Sequence, residues 1–175
     1  SAASQCTDRG IHGTHVAGII AGTGYDSSGK HKGIAPGARL VGLKVMDQLG
    51  RGYISDVIAA IDYAISVKTT YNVRVINLSV ASGVYDSYWT DPLTLAAKRA
   101  VDAGIVVVAS AGNHGQNELG QKQSGGITSP GNAPWVLTVG ASSEEASAAR
   151  SNDTIAKFSS QGPTWIDFSA KPDLV

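Results

Sequence analysis

Short unbroken apolar runs alternate with amphipathic stretches along this chain, which predicts strands and helices in turn. The run ARLVGLKV, residues 38–45, is bounded by Ala35-Pro36-Gly37 and by Asp47 and predicts a buried strand. SDVIAAIDYAISVK follows, with Ser55 as the expected N-cap and Val57, Ile58, Ile61 and Ile65 on one helical face. VRVINLSV, residues 73–80, has the β-branched density of a second strand. In DPLTLAAKRAVDAG, Asp91 suits an N-cap, Pro92 the first helical position and Gly104 the residue just past the end. IVVVASAGN (105–113) and WVLTVGA (135–141) predict a third and a fourth strand. Continuous apolar runs need cover on both faces, and the amphipathic segments need a sheet against which to bury their apolar sides. Together these ask for βαβ units and a parallel sheet. No linker, repeat or low-complexity tract interrupts the 175 residues, so the chain reads as one domain with a sizeable core.

Composition narrows the classes. Hydrophobic residues make up 42% and charged residues 16%, the balance of a globular chain and not of a disordered one. Fourteen basic and fourteen acidic residues cancel without any basic block, which argues against a nucleic-acid or anionic-membrane partner. The 21 glycines suggest tight turns and close backbone approaches. Cys6, the single cysteine, excludes an intrachain disulfide. No apolar run approaches the roughly 18 residues of a membrane span. The opening SAASQCTDRG lacks an initiator Met, a basic start and an apolar core, so it does not read as a signal peptide. With the extended KPDLV at the other end, both ends read as cut from a longer chain, a processed mature product being the alternative.

In open parallel sheets, functional groups gather in loops beyond the carboxyl ends of the strands. NLSVASG, SAGNHG and the start of GIHGTHVAGIIAG (10–22) are expected there, which would set His12, Ser79 and Asn113 on one rim. A zinc reading of the histidines would want H-E-x-x-H, with the pair four apart and a glutamate between. The spacing here is three, Gly13 and Thr14 fill the gap, and no third ligand is near. A capping or core histidine is the structural alternative, with His15 the better candidate because it falls inside the helix. Gly13 removes a side chain immediately after His12, and Ala17 and Gly18 let the helix pack closely on neighbouring backbone. An imidazole at such a helix start suits a base that reaches both a nucleophile and an orienting carboxylate.

HGTHVAG resembles the histidine signature of the subtilisin-like serine proteases, the subtilase family (peptidase S8). VINLSV resembles the family strand lining the primary specificity pocket, and VVVASAGN the strand and turn that end in the oxyanion-hole asparagine. TSPGNAPWVLTVGA, FSSQGPT and KPDLV continue the resemblance in family order over nearly the whole chain, and the texture is closest to bacterial members. The resemblance implies a three-layer α/β fold with a mainly parallel sheet and helices on both faces, incomplete at both ends. It makes residues 1–175 part of a subtilase catalytic domain and implies serine-type endopeptidase chemistry. His12 would be the general base and Asn113 the oxyanion donor. By itself Asn113 has a physical case, an amide at a strand end flanked by Gly112 with Gly115 behind, although Ala-Gly-Asn also reads as a plain turn.

The resemblance further implies a peptide groove with Gly50, Arg51 and Gly52 of LGRGY (49–53) on one edge and Ser79, Val80 and Ala81 on the other. Ala109–Gly112, including Ala111 and Gly112, would close the pocket. A simple glycine loop is the alternative for LGRGY. Ala81 stands where many members have glycine, so its methyl would narrow the pocket mouth. Ile11 replaces the small or polar residue common before the histidine, with little effect expected. The triad runs Asp, His, Ser along a subtilisin-type chain. Asp8 is too close to His12 for that arrangement and reads as a solvated loop residue, while Ser110, Ser159 and Ser160 lack the G-T-S-M-A-type setting of the nucleophile. In the family's type enzyme, loss of the serine costs about 2 × 10⁶ in turnover and loss of the aspartate roughly 3 × 10⁴. These 175 residues alone are therefore expected to be inactive and, with exposed sheet edges, poorly folded. A pseudoprotease that keeps a peptide groove without the nucleophile is the alternative; a dinucleotide-binding domain fails because GTGYDSSG lacks the G-x-G-x-x-G spacing. No cofactor is expected. Calcium is common in the family, but Asp26, Ser27 and Ser28 offer too few carboxylates for a site. The resemblance implies a polypeptide substrate, its own pro-region as a further partner, and secretion, with an intracellular site left open.

Overall fold

A computed structural model describes residues 7–144 and 150–175, so Cys6 lies outside the described residues. The chain divides into two compact units, Ser1–Ala60 and Ile61–Val175.

In the first unit, α1 (His12–Ala21) starts at the first histidine of the signature. Its N-cap, Ile11, has φ 65, a left-handed conformation that crowds a β-branched side chain. Ile11 is thus a strained residue at the helix start. At the other end of α1, the N–H groups of Gly33, Ile34 and Ala35 donate to the carbonyls of Gly22, Ile19 and Ile20. A Cβ on Gly33 would lie 2.7 Å from Gly22 N and 2.8 Å from Gly18 O, so this approach requires glycine. A Cβ on Gly18 itself would meet nothing within 4 Å, which moves the expected close packing from Gly18 to Gly33.

Residues 38–45 form no strand ladder among the described residues, and Leu40 and Val41 are 51% and 45% exposed. An apolar run specifies only the side chains of a strand; the ladder also needs a neighbouring backbone in register, which local sequence does not encode. α2 (Ile54–Ser66) begins two residues earlier than a Ser55 N-cap implies. The Tyr53 carbonyl accepts the N–H groups of Asp56 and Val57, so Ser55 lies inside the first turn and is not the N-cap. Val57, Ile61 and Ala64 are buried, while Ile58 and Ile65 are half-buried.

In the second unit a short α3 (Lys68–Tyr71) precedes β1 (Val75–Leu78), α4 (Pro92–Asp102), β2 (Val106–Ser110) and β3 (Leu137–Val139). The three strands form a sheet in the order β1-β2-β3, and both pairings are parallel. β4 (Ser142–Ser143) and β5 (Thr154–Ile155) make a separate antiparallel pair. β1–α4–β2 is the βαβ unit that the alternation predicts, but the connection from Ala111 to Val136 contains no helix and consists of turns and extended chain. α4 obeys its sequence signals: Asp91 is the N-cap, Pro92 opens the helix, and Gly104 beyond its end has φ 74. The Asp91 carboxylate accepts the N–H of Leu93 at 2.7 Å and of Thr94 at 3.3 Å. Ala96, Ala97 and Ala100 are fully buried, and their small size lets the helix lie close to its neighbours. The ammonium of buried Lys171 donates to the Val136 carbonyl at 2.7 Å and to Asp173 Oδ2 at 2.6 Å, and that oxygen also accepts the Thr138 N–H.

Asp91→Ala removes a buried cap and leaves donors unmatched, so it should cost about 2 kcal/mol in urea unfolding. Ile11→Gly relieves the left-handed strain and should gain about 1 kcal/mol in the same measurement. Partial burial opposes ionisation of Asp173, but the Lys171 ammonium and the Thr138 N–H outweigh it and hold the carboxyl below 3.8. Its stabilisation is therefore present above the unfolded value and is lost as pH falls through the lower folded one. Asp173→Asn should lower the urea midpoint near neutral pH, and the difference from the wild type should shrink as pH falls below the ordinary carboxylate range.

Candidate functional site

Parallel pairing brings two predicted segments to one edge. Leu78 is in register with Ala109, so Ser79–Ala81 and Ala111–Asn113 leave the sheet on the same side. Asn77 Nδ2 donates to Ser79 Oγ at 3.0 Å. Ser82 and Ser129 exchange backbone hydrogen bonds, each 3.0 Å, and the Thr128 N–H donates to the Ala111 carbonyl at 3.1 Å. The 128–129 segment is thereby bonded to both predicted segments. Ser129 Oγ donates to Asp91 Oδ2 at 2.8 Å, so one buried carboxylate caps α4 and anchors this bridge. Sequence reasoning gave Asp91 the first task and missed the second, along with Thr128 and Ser129. Their signal is faint, small polar residues beside a proline.

Gly112 has φ 102, and a Cβ there would come within 2.8 Å of Thr128 Cγ2. Glycine is therefore required immediately before Asn113, which is exposed at the tip of the turn. Ala111 is buried beneath it, and Ala81 is exposed. Ser159 and Ser160 are buried, 2% and 0% exposed, and Ser159 Oγ accepts the Ala141 N–H at 3.0 Å. Neither presents its hydroxyl as a nucleophile to solvent.

In the first unit His12 is exposed as the first residue of α1. His15 is exposed too, and α1 has no buried residue, so His15 is not a core histidine. Asp8 is no free loop residue either. Its Oδ2 accepts the Thr14 N–H at 2.7 Å and the Thr14 hydroxyl at 2.8 Å, and its Oδ1 accepts the Gly10 N–H at 3.1 Å. The Thr14 N–H and hydroxyl hold this carboxyl below its ordinary value. These bonds span His12 from both sides, which makes Asp8 a cap for the helix start.

Gly50, Arg51 and Gly52 form a turn organised by Asp47. Its Oδ1 accepts the Leu49 N–H at 2.8 Å and the Arg51 N–H at 3.0 Å, and the Arg51 and Leu49 amides hold the Asp47 carboxyl below its ordinary value. Ser79 and Asn113 thus share an edge in the second unit, while His12 and the 50–52 turn belong to the first.

Among the described residues no group of three or more His, Cys, Asp or Glu side chains gathers as metal ligands do. At the loop considered for calcium, Ser27 Oγ donates to the Gly24 carbonyl at 3.0 Å and accepts the His31 N–H at 2.8 Å, so it is committed to the turn. No helix among the described residues is long and apolar enough to cross a membrane.

The family description "Subtilase family" matches residues 2–175. Serine protease AprX of Bacillus subtilis (strain 168) is 38% identical over 173 residues, covering 94% of this chain and 37% of the relative. Subtilisin of Bacillus sp. (strain TA39) is 35% identical over 165 residues, with coverage of 94% and 36%. Among solved structures, Sphericase superposes with a TM-score of 0.75 at 33% identity over 97% of this chain and 52% of that chain. S41 Psychrophilic Protease gives a TM-score of 0.69 at 30% identity, covering 90% and 48%. The chain spans a little over a third of these curated relatives, 37% and 36% of their lengths. With the family match spanning the predicted histidine and asparagine motifs alike, the chain belongs to the subtilase family and has its α/β fold.

Proposed function

We propose that this chain supplies the general base and the oxyanion donor of a serine endopeptidase, with His12 and Asn113 in those roles. The observation that carries the reading is the sheet edge where Ser79–Ala81 and Ala111–Asn113 emerge together, in a chain of subtilase descent. In the reaction, the His12 imidazole takes the proton of a serine hydroxyl as its Oγ attacks the peptide carbonyl. The Asn113 side-chain N–H donates to the oxyanion, and the imidazolium returns its proton to the leaving amine. Water then repeats the sequence on the acyl-enzyme. The serine and the orienting aspartate are assigned to flanking sequence. Ser159 and Ser160 are buried, and Asp8 is occupied by Gly10 and Thr14, which supports that assignment.

The substrate is a polypeptide that extends the 79–81 edge by main-chain hydrogen bonding, with Gly50, Arg51 and Gly52 as further contacts. The Ala81 methyl narrows the entrance to the specificity pocket and favours small or slender side chains. Buried Ala111 and half-buried Gly112 form part of the pocket wall, and the chain's own pro-region is a further partner.

The full-length gene product should react covalently with a fluorophosphonate probe, and His12→Ala should slow labelling by at least about 10³-fold. Labelling at the wild-type rate in that variant would overturn the role of His12. A full-length wild type that never labels but still binds peptides would establish the alternative, a peptide-binding module without a nucleophile.

A further inference from the structure

Ser160 is fully buried, 46 residues beyond His114 in the turn that carries Asn113, and its N–H and Oγ go to the two sides of Asn113. Its backbone N–H donates to the Gly112 carbonyl at 3.0 Å. Its Oγ accepts the His114 N–H at 2.9 Å. The Gly112 carbonyl belongs to the peptide plane entering Asn113, and the His114 N–H to the plane leaving it. Each peptide unit is rigid, so fixing both planes fixes φ and ψ of Asn113 and hence the direction of its Cα–Cβ bond. The fit is close: a Cβ on Gly112 would lie 2.9 Å from Ser160 Oγ. The Ala111 carbonyl, tied to Thr128, extends the support by one residue.

We infer that Ser160 is a positioning residue that aims the Asn113 amide by fixing both of its flanking peptide planes. The inference rests on the reading of Asn113 as oxyanion donor. An exposed side chain at a turn tip has no packing of its own to hold it, so its aim depends on the backbone beneath. An oxyanion donor works because it is oriented before charge develops, and rotation of the 113–114 peptide would turn it away. Ser160→Ala keeps the N–H bond to Gly112 and deletes only the acceptor for His114. It therefore frees one plane and leaves the other tied.

The test is a double-mutant cycle in the full-length gene product, assayed on a peptidyl p-nitroanilide. Ser160→Ala should lower kcat by about tenfold with KM within about twofold, below the roughly 10²–10³ lost with the whole donor. In an Asn113→Ala background the same change should cost less than about twofold, because its effect passes through Asn113. An equal loss in both backgrounds, or a rise in KM with kcat unchanged, would overturn the inference while leaving the role of Asn113 intact. Full turnover in Asn113→Ala would instead overturn the oxyanion reading itself. If Ser160→Ala does not fold, Ser160→Cys, with a weaker acceptor of similar size, carries the same comparison with a smaller loss of kcat.

Discussion

Parallel pairing on both sides of β2 is the constraint on which the second unit depends. Because β1 and β3 run in the same direction as β2, their carboxyl ends emerge at one edge, and the turns that follow are neighbours without any further device. α4 makes the first of these pairings sterically feasible, since a parallel neighbour needs a crossover and a helix is the compact one. Its buried alanines and the single capping carboxylate at its start set where the crossover begins. The sheet supplies direction, and the side chains at its edge supply position.

Those side chains are short, polar and buried. Asp91, Thr128, Ser129 and Ser160 are each nearly or fully withdrawn from water and each accepts or donates a hydrogen bond to a segment distant in sequence. Burial raises the cost of breaking such bonds, because a lost partner is not readily replaced by water. A network of this kind holds loops in one arrangement more firmly than apolar contacts would, since hydrogen bonds are directional and hydrophobic contacts are not. That explains how irregular turns between strands can hold an exposed residue such as Asn113 in place.

Legibility followed the range of the interactions. α4 could be read almost to the residue because its cap, its proline and its terminal glycine act within a turn of where they stand. The Val106–Ser110 core of the third predicted strand was visible for a similar reason, as an unbroken apolar run between a helix stop and a glycine turn. The 38–45 run has the same look and forms no ladder, because pairing depends on a partner that local sequence cannot name. Ser55 had the right chemistry for a cap, but the helix began earlier. His12 and Asn113 stood out through the motifs around them. Asp91's second bond and the bonds of Ser160 were illegible because a serine or aspartate of that type occurs throughout any chain, and only the fold decides which distant amide it meets.

The two residues proposed as base and oxyanion donor are supported by a similar physical device, each within its own unit. Both are exposed, His12 as the first residue of α1 and Asn113 in the turn after β2, where packing cannot hold a side chain. Both have their backbone pinned on either side by one distant or offset polar group, Asp8 across Gly10 and Thr14 for His12, and Ser160 across Gly112 and His114 for Asn113. The strained φ of Ile11 fits this account, since a left-handed β-branched residue persists only where neighbouring bonds over-determine the backbone. Acyl transfer gains from donors and bases that do not reorganise as charge develops. A residue must stay exposed to reach substrate, so the rigidity it lacks in its own packing has to come from hydrogen bonds to the peptide groups next to it.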